Sequence, residues 1–584
     1  MRSPSAIALL FPALLLLAAC APEQPSQSTR SADLILHNAR VYSLDWPDPH
    51  TSGQLAPAAP YESGWYPDAE AVAIGDGEIL FVGDKEGAEA WRGEATRSVD
   101  LGGASVIPGL VDSHTHVFQL GLSLNRVSLY DVDTEAEAVA RIAERARSVP
   151  AGEWIVGQGW DEGKWADRYP DKQLLTRAVP DHPVFMRSLH SFAGWANQMA
   201  LDRAGITAET PVPEGGEIRK SAGGEPSGLF LNRAVPLIEN AIPALTDAQL
   251  RANALRGLEQ MAADGYVTVH DAGLNSDEMR VLEQLEREGK LPIRVYAMLS
   301  VRDEALARAW LDKGPDQDAD SMLVTRSVKA FYDGALGSRG AKLLDDYSDR
   351  PGHRGVSGSE YGFDEELTAA MMAAGFQVGI HAIGDAGNRE TLQFLEDVNQ
   401  AEPTARKGRH RIEHAQVFHP ADTELPGQMR IILSMQPPHA VEDKAWAEQR
   451  LGPERIKGAY AWRTLRMRGA MVIFNADNPG SDHSIFYGMH AAVTRRDKAG
   501  DPIGGWYAEQ AFNMDETMRA YTRWPAYAGF REQHTGVLAP GKWADLTVMD
   551  IDPFVLSEAR PAALLDGRIL MTVVNGDIVY QAAR

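Results

Sequence analysis

The sequence predicts an α/β fold, a (β/α)8 barrel of the TIM type with short β units at both ends of the chain. Apolar strand-like runs alternate with helical runs through the middle of the chain, and the number of such units favours a barrel over a doubly wound sheet. Several of the runs also close on a histidine or an aspartate, the place where a parallel barrel gathers its ligands.

At 584 residues the chain is long enough for a catalytic domain with a smaller companion. Its formal charge of −24 opposes nucleic-acid binding, which demands a basic surface. The first twenty residues differ from the rest: Arg2, an apolar run over residues 6–17, then Leu17-Ala-Ala-Cys20. A run this short that ends in small residues is expected to be a secretory signal and not a spanning helix. It resembles a bacterial lipoprotein signal, which implies cleavage that leaves Cys20 lipidated at a new N-terminus; an ordinary signal peptide with a chance cysteine is the alternative. Residues 21–31, rich in Pro, Gln and Ser, are expected to form a disordered tether. Cys20 is the only cysteine, so internal disulfides, thiolate ligands and a cysteine nucleophile are all excluded.

Residues 32–104 show short strands, with a Gly75-Asp-Gly77 turn between residues 71–74 and 79–82. Residues 45–67, rich in Pro, Gly and Ala, are expected to form a surface loop. A buried strand is expected over residues 105–111, opening a barrel domain over 105–535. Residues 118–240 exceed what a barrel crossover needs, and the excess is expected to form an inserted subdomain. Its Trp154, Trp160, Trp165 and Trp195 suit either a core or a platform for an apolar N-substituent. Further strands are expected over 154–156, 183–186, 266–269, 293–298, 328–331, 377–380, 411–413, 431–434 and 471–474. The clearest helix spans 247–263, opened by the capping box Thr246-Asp-Ala-Gln249, and a second starts near Asp364. Residues 536–584 return to short strands, with Asn575-Gly576 between two apolar runs as a hairpin turn.

The candidate ligands close the strands. His114 and His116 stand two apart at the end of an apolar run, so on an extended strand both imidazoles face one side. The run at 378–380 ends at His381, 411–413 ends at His414, and 472–474 is followed by Asp477. Four imidazoles and a carboxylate suit Zn²⁺ or a similar divalent ion. Lys329 lies inside an apolar strand, where an ammonium is costly unless paired or neutralised. Two solutions stand side by side: a carbamate formed with CO2 that bridges two metals, or an ion pair with Asp333.

These residues resemble the amidohydrolase superfamily, and the flanking text resembles its YtcJ-like branch, which includes N-substituted formamide deformylases. The matching segments are Val106-Ile-Pro-Gly-Leu-Val-Asp-Ser-His-Thr-His116, Val328-Lys-Ala-Phe-Tyr-Asp-Gly334, His381-Ala-Ile-Gly-Asp385, Arg411-Ile-Glu-His414, Gln436-Pro-Pro-His439 and Gly541-Lys-Trp-Ala-Asp-Leu546. The resemblance implies a β-sandwich assembled from residues 32–104 and 536–584. It also implies one or two divalent metals, zinc foremost, surrounded by His114, His116, Lys329, His381, His414 and Asp477. One departure stands out: relatives commonly carry Gly-Ser before the aspartate, where this chain has Asn475-Ala476, so the local turn and substrate contacts are expected to differ.

The implied activity is hydrolysis of non-peptide C–N bonds in N-acyl or N-formyl amines or cyclic amides, by hydroxide generated on the metal, with Asp477 as the proton acceptor. Two other readings stand beside it: an inactive lipid-anchored binding protein, and a dipeptidase or esterase of the same superfamily. The resemblance gives His190 a substrate-facing place, with a structural histidine as the alternative. His270-Asp271 and Tyr332-Asp333 either line the pocket, Asp333 then touching substrate, or bond neighbouring loops. His439, His483 and His490 receive no role. Beyond a small amide substrate, the expected partner is a membrane reached through the lipid anchor. Ala21 points to the outer membrane of a bacterial envelope, and a homo-oligomer is compatible with the chain.

Overall fold

The computed structural model describes residues 30–129, 132–160, 169–188, 193–213 and 216–583. Cys20, Trp165 and His190 therefore lie outside the described residues, as does the signal-like segment.

Eight parallel strands form the central sheet: β1 (Leu110–Thr115), β2 (Tyr266–Leu274), β3 (Arg294–Ser300), β4 (Leu323–Phe331), β5 (Gln377–Ala382), β6 (Arg411–His414), β7 (Ile432–Met435) and β8 (Met471–Phe474), in sequential order. At the seam between the first and last strands, Asp477 N donates to His114 O at 3.1 Å and His116 N to Asn478 O at 3.0 Å. Ala476 N adds a bond to Asp112 Oδ2 at 3.3 Å. Every residue of β3 is buried, as expected of a strand with the barrel interior on one side and helices on the other. The helix Asp247–Ala263 has the bounds its capping box predicts: Thr246 Oγ1 accepts from Gln249 N, and Gln249 Oε1 accepts from Thr246 N. Asp364 caps the helix Glu365–Ala373 through Leu367 N at 2.9 Å.

The strand expected over 105–111 is two strands. Ser105–Pro108 joins a five-stranded sheet with residues 40–41, 546–549, 569–574 and 577–581, whereas Leu110–Thr115 opens the barrel. The break falls at Gly109, where a Cβ would sit 2.4 Å from Val267 Cγ2, so only glycine lets the chain pass β2 this closely. The five-stranded sheet thus draws on both ends of the chain. It shares a core with a four-stranded sheet of residues 32–37, 71–75, 78–83 and 92–100, in which Leu34, Leu36 and Val72 meet Val106, Leu546, Val548 and Met571. Asn575 and Gly576 both take positive φ, 51° and 80°, in the terminal hairpin.

Residues 45–67 form an irregular stretch that does more than cross the surface. Trp46 and Trp65 are buried in the barrel's hydrophobic core, and Trp65 packs on Phe554 with ring centres 4.9 Å apart. The strands expected at 154–156 and 183–186 belong to neither the barrel nor the terminal sheets. They lie in a separate six-stranded sheet running from residue 127 to 232. Trp160 and Trp195 are fully buried within it, their indole N–H groups bonded to Met186 O and Asp171 O, and Trp154 packs on a neighbouring cluster. Trp160 and Trp195 are core residues of the insertion, and Trp154 is partly buried against it.

A buried ion pair ties barrel to terminal sheet. Arg294 on β3 donates Nε to Asp545 Oδ2 at 2.9 Å, both side chains being inaccessible, and its guanidinium lies 3.8 Å over the Trp543 ring. Trp543 and Asp545, two residues apart, thus both engage Arg294. Removing one partner strands the other charge, so Asp545→Ala is expected to lower unfolding free energy by about 3–5 kcal/mol in denaturant titration. A loss below about 1 kcal/mol would contradict this role.

Candidate metal centre

The C-terminal ends of the barrel strands bring the expected ligands together. His114 is the last residue but one of β1, and His116 caps the start of the helix Val117–Asn125. Lys329 lies on β4, His381 on β5 and His414 on β6, while Asp477 lies three residues beyond β8. His114, His414 and Asp477 each offer a ligand atom within 4.8 Å of the others. His116 Nε2 stands 3.1 Å from Asp477 Oδ1, and His114 Nε2 stands 3.5 Å from the same oxygen. The His381 ring lies 4.5 Å from that of His414, and Lys329 Nζ lies 3.1 Å from His114 Nε2. All six residues therefore surround one small volume.

The cluster fits a divalent cation on four physical grounds. First, burial and the nearby Lys329 charge push His114 down to about 4 and His381 to about 3, while burial and His381 hold His414 well below the usual range. All three rings are neutral near pH 7, as metal ligands must be. Second, burial favours the neutral acid at Asp477, yet its pKa lies well below the usual range, and the hydrogen bond from His116, the one ring of the cluster whose pKa is raised, helps to hold the carboxyl ionised. Third, His381 Nε2 is buried with no hydrogen-bond partner, 3.8 Å from Asp333 Oδ1, and such orphaned atoms are rare without a bound species to meet them. Fourth, His414 and Asp477 hold positive φ, 73° and 52°, a strained backbone that side chains other than glycine adopt mainly where surrounding structure imposes it.

A supporting layer orients the rings. His114 Nδ1 bonds Glu413 Oε2 at 2.6 Å, leaving Nε2 directed at the cluster. Burial opposes the Glu413 charge, but Arg411 and His114 win and hold its pKa well below normal. Arg411 reaches Glu413 Oε2 at 3.0 Å and His270 Nδ1 at 2.8 Å. On the other flank Gln436 Oε1 meets His414 Nδ1 at 3.1 Å, and Gln436 Nε2 donates to Asn475 Oδ1 at 2.8 Å. Asn475 Nδ2 bonds Ser434 Oγ at 3.0 Å. The departure at Asn475 thus sits in this layer, fully buried, and its amide does not face substrate.

Several expectations change here. Lys329 makes no ion pair with Asp333; its closest polar contact is His114, and burial pulls its pKa to about 8 despite Glu413 and Asp477. Asp333 is fully buried and accepts from Lys342, Ile383 and Gly384 N–H groups, each at 2.9 Å, so it braces loops instead of lining the pocket for substrate. His270 is held by Arg411, and Asp271 accepts from Val117 N at 3.2 Å, so both bond neighbouring structure. His439 stacks parallel to His414 with centres 6.3 Å apart, whereas His483 pairs with Asp264 and His490 bonds Pro561 O. Glu413, Arg411, Gln436 and Asn475 were absent from the sequence-derived site. Glu413 and Gln436 each adjoin or lie two residues from a strand end in quoted motifs, which is the one signal that pointed to them.

Residues 97–580 match the Amidohydrolase family. The chain is 33% identical to "Putative amidohydrolase YtcJ" of Bacillus subtilis (strain 168) over 527 residues, covering 88% of this chain and 96% of that one. It is 26% identical to "N-substituted formamide deformylase" of Arthrobacter pascens, covering 88% and 95%. Among solved structures, an uncharacterized metal-dependent hydrolase from Pyrococcus horikoshii OT3 superposes with a TM-score of 0.70 at 26% identity, covering 90% of this chain and 99% of that one.

Two measurements check the site. Glu413→Gln, which keeps shape but removes the charge behind His114, is expected to weaken divalent-metal affinity roughly 10- to 100-fold in chelator competition; unchanged affinity in a folded variant would contradict the layer's role. Proton release gives the second. Burial disfavours the His116 cation, but its bond to Asp477 prevails and raises its pKa, so His116 carries a proton at pH 5–6 while the other three imidazoles carry none. Metal binding in CO2-depleted buffer at that pH should therefore release about one proton, falling in affinity as pH drops, where four ordinary histidines would release about four. Calorimetry in buffers of different ionisation enthalpy distinguishes the two.

Proposed function

The chain belongs to the amidohydrolase family, and from that premise we propose that it hydrolyses non-peptide C–N bonds in N-acyl or N-formyl amines or cyclic amides. The observation that carries this reading is Asp477, an ionised carboxylate held beside His114, His116 and His414 at the barrel mouth. Similarity to an N-substituted formamide deformylase supports the choice of bond.

In this reading His114, His116, His381, His414 and Asp477 hold one or two divalent ions, with zinc the favoured metal on the chemistry of nitrogen and oxygen donors. A cation so held supplies Lewis acidity toward a carbonyl and brings the pKa of water near 7. Asp477 accepts the proton of the attacking water and passes it to the departing nitrogen. Glu413 and Gln436 keep His114 and His414 turned so that each presents one ring nitrogen to the cluster. Lys329, with a pKa drawn down to about 8, offers enough free amine near neutral pH to add CO2 as a carbamate, losing one proton as the N–C bond forms. The two small sheets act as the halves of a composite β-sandwich over residues 32–104 and 536–584 that buttresses the barrel. The same reading places the protein at the bacterial envelope, anchored through a lipidated Cys20 in the outer membrane, supported by the signal-like run before that cysteine.

Asp477→Asn is expected to retain metal and to lose turnover by roughly 10²- to 10⁴-fold; undiminished activity would remove Asp477 from the chemistry. A panel of N-formyl amines, N-acyl amines, cyclic amides, dipeptides and esters tests the bond class, with turnover expected in the first three groups. Dipeptide or ester preference would favour the other hydrolase reading, and metal-loaded protein inert toward all five would favour a binding role.

A further inference from the structure

Arg302 stands two residues beyond β3 at the barrel mouth, exposed, with its guanidinium 4.0 Å over the Phe331 ring and 5.6 Å from that of Tyr361. Among the described residues its guanidinium has no hydrogen bond and no ion pair. The acidic residues that follow it in sequence are occupied elsewhere. Asp303 accepts from Ser276 Oγ at 2.6 Å and caps the next helix through Leu306 N, and Glu304 pairs with Arg308 at 2.7 Å. A fixed cation is thus presented at the mouth of a chain whose formal charge is −24.

Its position relative to the metal centre is set by Phe331. That residue follows Lys329 by two on β4, so both side chains leave the same face of the strand. Lys329 Nζ lies 5.0 Å from the Phe331 ring centre, and the His381 ring lies 5.6 Å from it. The Phe331 ring is thus a shared neighbour of the guanidinium, Lys329 and His381. The backbone fixes the arrangement further, since Val301 N donates to Lys329 O at 3.0 Å and locks the residue before Arg302 to the strand carrying Lys329.

Resting on the amide-hydrolase reading above, we propose that Arg302 is the recognition site for a substrate carboxylate, making N-acyl or N-formyl amino acids the substrate class. A guanidinium offers two parallel N–H donors that match one carboxylate. A single guanidinium suits a monoanion better than a phosphate. Phe331 and Tyr361 hold the arginine stem and head, so little freedom is lost when the anion arrives. The amide would lie over the metal centre while the carboxylate, a few bonds away, reaches past Phe331.

The test compares N-acetylphenylalanine with N-acetylphenethylamine, which lacks only the carboxylate, on metal-loaded wild type, Arg302→Met and Arg302→Lys. Wild type is expected to prefer the acid in kcat/KM, and Arg302→Met to lower that preference ~10- to 100-fold through KM, with Arg302→Lys recovering part of it. Calorimetric binding of N-acetylphenylalanine gives a readout independent of turnover. If neither compound is hydrolysed but the acid binds and Arg302→Met weakens it, the carboxylate site stands and the amide reading fails. If amides are hydrolysed without preference for the acid, or acid binding survives Arg302→Met unchanged, the carboxylate site is overturned and the amide reading remains.

Discussion

The constraint on which this structure turns is the burial of one carboxylate among imidazoles. Asp477 is mostly withdrawn from water at the barrel mouth, its side chain 18% exposed, and lies beside His114, His116 and His414. The seam hydrogen bonds that bring β8 against β1 are the same bonds that put Asp477 beside His114 and His116. Closure of the fold and assembly of the site are thus one event. The left-handed backbone at His414 and Asp477 shows that the barrel, and not local preference, dictates those positions.

Behind the cluster lies a second requirement. Neutral imidazoles turn freely unless the far nitrogen is fixed, and here Glu413 fixes His114 while Gln436 fixes His414. Each of these is itself fixed, Glu413 by Arg411 and Gln436 by Asn475, so the orientation of two ligands is carried through buried polar chains to β6, β7 and the residue that follows β8. Such chains are stable only when every member is satisfied. Asn475 therefore takes part in the support of His414, two residues before Asp477.

Much of this was legible in the sequence because the relevant signals are local. The capping box at Thr246 and Gln249 set the start of one helix, Asn575-Gly576 set the last hairpin, and the residues closing apolar runs pointed to His114, His116, His381, His414 and Asp477, with Lys329 read from inside its strand. What escaped depended on contacts between distant segments. The partition of residues 105–111 into two strands follows from the approach of Gly109 to Val267, and the fate of Lys329 follows from His114, more than two hundred residues earlier. Trp46 and Trp65 were hidden in a stretch whose Pro and Gly content spoke only of irregular backbone, although both side chains are core. Asp333 could be placed near the mouth by its strand, but its three backbone donors come from other loops that no spacing announces.

What these side chains are arranged to share is a divalent ion in the volume between them. Anomalous diffraction at the metal absorption edge, from crystals of protein purified without chelator, tests it most directly. One or two peaks within bonding distance of His114, His414 and Asp477 are expected. Crystals with no peak there after soaking in zinc, or with the metal bound only elsewhere on the molecule, would contradict it.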